Sequence, residues 1–419
     1  MEDKKISIHH IGARSGSVVF PKNPKFDNDL VQVLYDADKD IVPQVEEIYK
    51  NQKPKTHILP YALWNKNENK EINITYDPYA SSFFKLNENY KSFYKNDLNS
   101  NYDYVYGEVA QPMEKRKIVT KTLDSALLKE NTDNNIPMPD FISLDTEASE
   151  YEIIEGASEI LKKNVLAIYS EVSFHEVRSG QKLFGDLCKL LAEKKFLFAS
   201  FDNDKKTGEH MLYEFSPFRH ATGYRGHGFH LHSEALFLRD IQDVENISDS
   251  EYKKFLNLSK LAFLSIQFCQ IEYGLECLRR IEQLNIKDKK NHLSENYLKF
   301  LDEVSEYFFK NNLNLPITFN DKFSYIDSQN RFKINKENQT LKGNIIKFIK
   351  KKKYLYKFLK KAYKDIQFFI NKLDFKFNIK INVDFSKFEK IFLKYGLIYQ
   401  AQILRKKRNN QKMTLKEKN

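Results

Sequence analysis

Short apolar runs that end at a carboxylate and then give way to helical spacing recur along the first half of this chain, and this repetition narrows the possible folds most. Ile6 to Ile11 breaks into Gly12-Ala13-Arg14-Ser15-Gly16, the pattern of a buried strand feeding a tight turn. Leu30 to Tyr35 ends at Asp36-Ala37-Asp38, and Ile41, Val45 and Ile48 follow at helical spacing. Phe141 to Leu144 ends at Asp145-Thr146-Glu147, after which Ile153, Ile154, Ala157 and Leu161 mark one face of a helix over 150–161. Val165 to Val172 reads as the next strand, 183–195 as an amphipathic helix, and 196–201 and 234–239 as strands. Strands alternating with helices predict a mostly parallel sheet covered on both faces, with ligands at the carboxyl ends of the strands. The acids fall at those ends.

Between these landmarks the spacing predicts a strand at 56–62 and an alternating run near 71–76. The Asn- and Tyr-rich segment 77–116 reads as irregular and suited to substrate contacts. Beyond about residue 245 strand signals cease, and 250–312 reads as three amphipathic helices with a faint tetratricopeptide look. One such unit cannot bury its own apolar face, so it is expected to pack on the first domain or on a partner chain. The expected division is therefore an α/β domain over 1–240, a helical extension over 241–340 and a basic tail over 341–419.

A chain of 419 residues, 41% of them hydrophobic, exceeds one ordinary domain. Its net charge of +11 gathers near the C-terminus, in Lys350 to Lys353 and Arg405 to Arg408. The tail has three readings: a solvated helical surface, a membrane-surface anchor or a nucleic-acid contact. Phe, Ile, Leu and Tyr interleave with its lysines at helical spacing, which favours the membrane surface over nucleic acid. No run reaches the roughly 18 apolar residues of a spanning helix, and Met1 to Lys5 lacks the apolar core of a signal peptide. The expected location is the cytoplasm, with peripheral contact with the inner face of the membrane as an alternative that the tail leaves open. Cys188, Cys269 and Cys277 form no CxxC pair and are expected to be buried thiols.

A nucleotide-like cofactor needs glycine where its backbone cradle forms and a carboxylate after the second strand for the ribose hydroxyls. Gly12, Gly16 and Asp36 meet those needs, although a turn with two convenient glycines has the same appearance. The segment Pro139 to Ala157 resembles the FkbM methyltransferase family, as do Thr122-Leu123-Asp124-Ser125, Ala62-Leu63-Trp64-Asn65 and the pair Ser81-Ser82, all in the family's order within residues 1 to about 240. The resemblance implies a Rossmann-like class I methyltransferase domain that binds S-adenosyl-L-methionine and methylates a hydroxyl, of a sugar or glycan. It implies cofactor contacts by Gly12, Ala13, Arg14, Gly16, Asp36 and Asp145. The chain departs from the family pattern in having His10 and Arg14 where an acid and an asparagine are usual, and Ala148 where glycine is usual.

Methyl transfer to oxygen requires alignment of the acceptor, exclusion of water and removal of a proton. Asp145 is the first candidate for general base and Glu147 the second, with Glu171 and His175 on the acceptor side. Glu147 and Glu150 also suit a helix start, where the macrodipole favours acids. Arg219, His220, Arg225, His227, His230 and His232 crowd one stretch of a chain with only 10 histidines. They are read as a polar acceptor-binding loop and not as a metal site, because no cysteine lies nearby. Two further functions stay open: a catalytically inactive binding or scaffold protein, suggested by the altered first motif, and a nucleic-acid methyltransferase. The second lacks the Asn/Asp-Pro-Pro-aromatic and catalytic cysteine motifs.

Overall fold

The computed structural model describes residues 4–14, 20–97, 103–131, 135–201, 209–212, 228–284, 286, 295–310, 385–394 and 396. The chain divides into two compact units, 1–305 with 388–419, and 306–387. The first unit carries all that follows.

In chain order it contains β1 (Ile6–Ile11), β2 (Leu30–Tyr35), α1 (Val42–Tyr49), β3 (Lys55–Leu59), β4 (Ala62–Leu63) and β5 (Asn69–Thr75). There follow β6 (Tyr94–Asp97), β7 (Asp103–Val105), α2 (Tyr106–Val109), β8 (Pro112–Lys121), α3 (Leu123–Leu128), β9 (Phe141–Leu144), α4 (Glu150–Glu155) and α5 (Ser158–Lys163). Next come β10 (Ala167–Ser173), α6 (Phe184–Glu193), β11 (Phe196–Phe201), β12 (Glu209–Leu212), β13 (Phe229–Arg239), α7 (Ile241–Ile247), α8 (Glu251–Gln267) and α9 (Ile271–Glu282), and the helices Glu295–Lys310 and Phe385–Lys394 follow. The main sheet runs β3-β2-β1-β9-β10-β13, with β11 also on β13 and β12-β6-β7 continuing beyond it. Its first five strands are parallel, whereas β13 runs antiparallel to both β10 and β11. This is the Rossmann-like arrangement expected from the alternating pattern. A separate three-stranded sheet, β4-β8-β5, is inserted between β3 and β9.

The central strands are legible because they are buried on both faces, so they read as near-continuous apolar runs. All six residues of β1 and of β2 are buried. The polar members of β1 have partners: His9 Nδ1 meets the Tyr35 hydroxyl at 2.8 Å, and His10 Nδ1 meets Ser143 Oγ at 2.7 Å. Burial pushes the two imidazoles down to about 3 and about 4, so both are neutral. On one face of the sheet Ile153, Ile154, Ile160, Leu161, Leu187 and Leu191 of α4, α5 and α6 join Ile142, Leu144 and Ile168 in one core.

Two expectations change in detail. The helix expected over 150–161 is split into α4 and α5 at Gly156 and Ala157. A Cβ on Gly156 would stand 2.3 Å from the Trp64 carbonyl oxygen, so only glycine lets these segments meet. Asp124 then starts α5, accepting the N–H groups of Glu159 and Ile160 at 2.9 and 3.0 Å. The segment 77–116, expected to be irregular, contains β6, β7, α2 and the first half of β8. Most of β8 is exposed and it carries Glu114, Lys115, Arg116 and Lys117 in succession, which hides its alternation from a hydrophobicity reading.

The helices after β13 lie against the sheet. Phe268, just beyond α8, stacks on Phe141 and Tyr169 with ring centroids 5.3 and 5.4 Å away. Lys260 of α8 donates to both oxygens of Asp140, at 3.0 and 2.8 Å, and Asp140 also accepts the Ser7 N–H at 2.9 Å. Both charges are buried. Apart from 385–394 and 396, the tail 341–419 lies outside the described residues. No described helix is long and apolar enough to cross a membrane. Lys260→Met leaves a buried carboxylate without its counter-charge, and urea unfolding is expected to show a loss of about 3–5 kcal/mol. A loss below about 1 kcal/mol would mean that the pair does not hold α8 to the sheet.

Candidate functional site

From β1 the chain proceeds outward to β2 and β3 on one side, while β9 and β10 build the sheet on the other. Strand order reverses between β1 and β9, and in such sheets the crevice at the carboxyl ends beside that point is where ligands bind. A cavity of about 240 Å³ opens there. A wider groove of about 710 Å³ sits at the amino ends of β1, β2 and β3, lined by Lys5, Lys53 and Lys55 among others. Position in the sheet, not size, singles out the first.

Gly12 and Asp145 to Glu147 line the cavity where β1 and β9 end, and Asp36, Ala37 and Asp38 line it where β2 ends. Gly12 has φ 99°, and a Cβ there would stand 1.8 Å from the Asp145 carbonyl oxygen. Glycine is therefore required twice, for conformation and for space. The N–H groups of Gly12 and Ala13 both point to the Tyr35 carbonyl at 3.0 Å, and the Asp145 N–H bonds the Ile11 carbonyl at 3.0 Å. These bonds tie the three strand ends into one frame.

Asp36 accepts the Asp38 N–H on Oδ1 at 2.7 Å and has no hydrogen-bond partner for Oδ2 among the described residues. Burial raises its pKa from the ordinary aspartate value, against the Asp38 N–H and Arg14, which lower it. Arg14 turns to Asp38, 3.1 Å away, and its guanidinium also lies 6.0 Å from the Tyr79 ring centre. The Asp145 side chain is exposed to the cavity and makes no hydrogen bond among the described residues. Burial, and then the nearby Glu171, Glu234, Glu147 and Glu150, hold its pKa well above the ordinary value. Glu150 is buried and accepts both the N–H and the hydroxyl of Thr146, at 2.7 and 2.8 Å, so this acid caps the turn at the start of α4. Burial and Glu171 push it up to about 7.

Of the residues expected from sequence, Gly12, Arg14, Asp36, Asp145 and Glu147 come together around this cavity. The Ala13 side chain packs with Leu34 and Val45 and takes no part in the lining. Gly16 lies outside the described residues. Glu171 meets His232 Nδ1 at 3.0 Å and faces Glu234 across the β10–β13 register, outside the lining. His175 is also outside it, near the rings of Tyr90 and Phe229. His230 lies 4.7 Å from the Phe174 ring, and Arg219, His220, Arg225 and His227 lie outside the described residues. Among the described residues no group of three or more His, Cys, Asp or Glu side chains is placed to hold a metal.

Sequence reasoning missed one wall. Ile72 and Ile74 of β5 and Arg116 and Ile118 of β8 close the cavity from the inserted sheet, with Pro78, Tyr79, Ser81 and Ser82 at its edge. The alternation near 71–76 was the available signal for β5. Position 148 is also informative: Glu147 and Ala148 adopt φ 56° and 85°, backbone that glycine takes freely and alanine does not. Replacing Ala148 by Gly is expected to raise unfolding free energy by about 1 kcal/mol. Gly12→Ala is expected to lower it by at least about 2 kcal/mol, from the clash with Asp145. Equal responses at the two positions in denaturant unfolding would contradict this reading of the turns.

Residues 10–198 match the family model of the methyltransferase FkbM domain. No curated protein and no solved structure matches the chain. The matched segment runs from the end of β1 into β11 and contains the cavity frame, so the fold and the family agree on a Rossmann-like methyltransferase domain.

Proposed function

We propose that this chain, whose residues 10–198 match the methyltransferase FkbM domain, binds S-adenosyl-L-methionine in the cavity between β1, β2 and β9 and transfers the methyl group to a hydroxyl oxygen. The observation that carries the reading is the pairing of a glycine cradle, Gly12, with two carboxylates that line one crevice and keep oxygens not engaged by the described residues, Asp36 Oδ2 and Asp145. The cradle admits close backbone approach, and Asp36 is placed to accept hydrogen bonds from ribose hydroxyls. A cationic ligand suits the acidic end of β9, where Asp145, Glu147 and Glu150 lie close together.

S-adenosylmethionine, when bound, supplies a methyl group on a positively charged sulfur. Its displacement by an oxygen requires an aligned hydroxyl and a base. Asp145, ionised, is the group in the cavity that would take the hydroxyl proton, and its raised pKa makes it a stronger base than an ordinary aspartate. Glu147 is engaged by Arg178 at 2.6 Å and is the weaker candidate. Glu171 and His175 lie outside the lining, and their acceptor-side role rests on sequence grounds alone.

A sugar or glycan acceptor is the class the family resemblance favours. Attachment of the basic tail to an anionic membrane surface remains part of the proposal on sequence grounds alone. The scaffold alternative rests on His10 and Arg14, and neither substitution closes the cavity. His10 is buried against Ser143 and is not part of the lining, while Arg14 pairs with Asp38.

Calorimetric titration of S-adenosylmethionine into the full chain tests the cofactor. Micromolar binding is expected, weakened about tenfold to a hundredfold by Asp36→Ala. Affinity is also expected to rise between pH 6 and 8. Glu150 is protonated below about 7, and its charge, which favours a cation, develops above it. Absence of binding to the intact protein would shift the function to a scaffold.

A further inference from the structure

Two successive left-handed residues that are not glycine, Glu147 and Ala148, persist only where their surroundings over-determine them. Three contacts do so. Ser82 Oγ donates to the Glu147 carbonyl at 2.6 Å, and Glu150 holds the preceding Thr146. The third is Arg178, whose Nη2 donates both to Glu147 Oε2 and to the Ala80 carbonyl, each at 2.6 Å.

Arg178 is 2% exposed and is not among the residues lining the cavity. Its own backbone is fixed by a bridge to Leu86, flanked by bonds from Asn87 N–H to the Val177 carbonyl and from Ser179 N–H to the Lys85 carbonyl, both 2.8 Å. A guanidinium removed from water needs its counter-charge and acceptors in fixed places. Here those acceptors belong to two different edges of the cavity. Any movement of the 145–148 turn is felt at Gly12, because the Asp145 carbonyl already fills the space beside it.

We infer that Arg178 is a positioning residue for the cofactor pocket: from behind the lining it pins the strained Glu147 turn to the Ala80 loop, and so sets Asp145 against Gly12. This role rests on the cofactor reading given above. Arg178 touches neither the cofactor nor the acceptor in this account and acts through Glu147.

The test is calorimetric titration of S-adenosylhomocysteine into the full-length protein and its Arg178→Gln, Arg178→Lys and Ser82→Ala variants, with thermal unfolding of each. Arg178→Gln is expected to weaken binding about tenfold or more at unchanged stoichiometry. Both bonds come from one nitrogen, so the lysine ammonium can replace it, and Arg178→Lys is expected to stay within about threefold of the parent. Ser82→Ala acts on the same turn, and its effect in combination with Arg178→Gln is expected to be less than additive. Unchanged affinity in Arg178→Gln, or a fall in stoichiometry alone, overturns the inference, because a partly unfolded population lowers the number of sites and not their affinity. Should Arg178→Gln fail to fold, normal affinity in Ser82→Ala would overturn it, and weakened affinity there with retention in Arg178→Lys would uphold it. If the parent protein itself does not bind, the cofactor reading fails and this role fails with it.

Discussion

The Asp145 carbonyl occupies the space that a side chain at position 12 would need, and the rest of the site depends on that contact. It allows the ends of β1 and β9 to close on each other at the point where strand order reverses. Close approach of this kind demands glycine on one side and a rigid turn on the other. The rigid turn costs left-handed backbone at Glu147 and Ala148, and the cost is offset by buried partners drawn from Ser82, Glu150 and Arg178. A site built this way is stiff before any ligand arrives, which is what alignment of two reacting groups requires.

Electrostatics adds a second constraint. The carboxylates of Glu147, Glu150, Glu171 and Glu234 all lie near enough to act on Asp145. Glu147 has Arg178, Glu171 has His232 and Glu150 has Thr146. Desolvation in the crevice, and then the repulsion of these neighbours, hold the Asp145 pKa well above the ordinary value. A group so placed is suited both to a positively charged ligand and to accepting a proton.

The parts of the fold that were legible in sequence are those where burial is two-sided. β1, β2, β9 and β10 read as apolar runs, and the carboxylates after them mark the ligand end of the sheet. Strand position fixes that end but not which crevice a side chain reaches, so Asp145 faces the cavity while Glu171, one strand over, does not. β8 was missed because its exposed residues are charged, and with it Arg116 and Ile118 of the cavity wall. Arg178 was missed because a buried arginine in a loop looks, in sequence, like any surface cation. Several quoted family positions acquire physical meaning: Asp124 caps α5, Gly156 clears the Trp64 carbonyl and Ser82 holds the Glu147 turn.

The helices after β13 extend the sheet's cover on the face opposite α4, α5 and α6, through Phe268 and the Lys260–Asp140 pair. The decisive place, however, is the crevice between β1 and β9, which a crystal structure of the chain with S-adenosylhomocysteine would probe. The ribose is expected on Asp36 and the sulfur beside Asp145, with backbone contact at Gly12. Density for the ligand in the lysine-lined groove at the amino ends of the strands, or a ribose with no contact to Asp36, would contradict this placement.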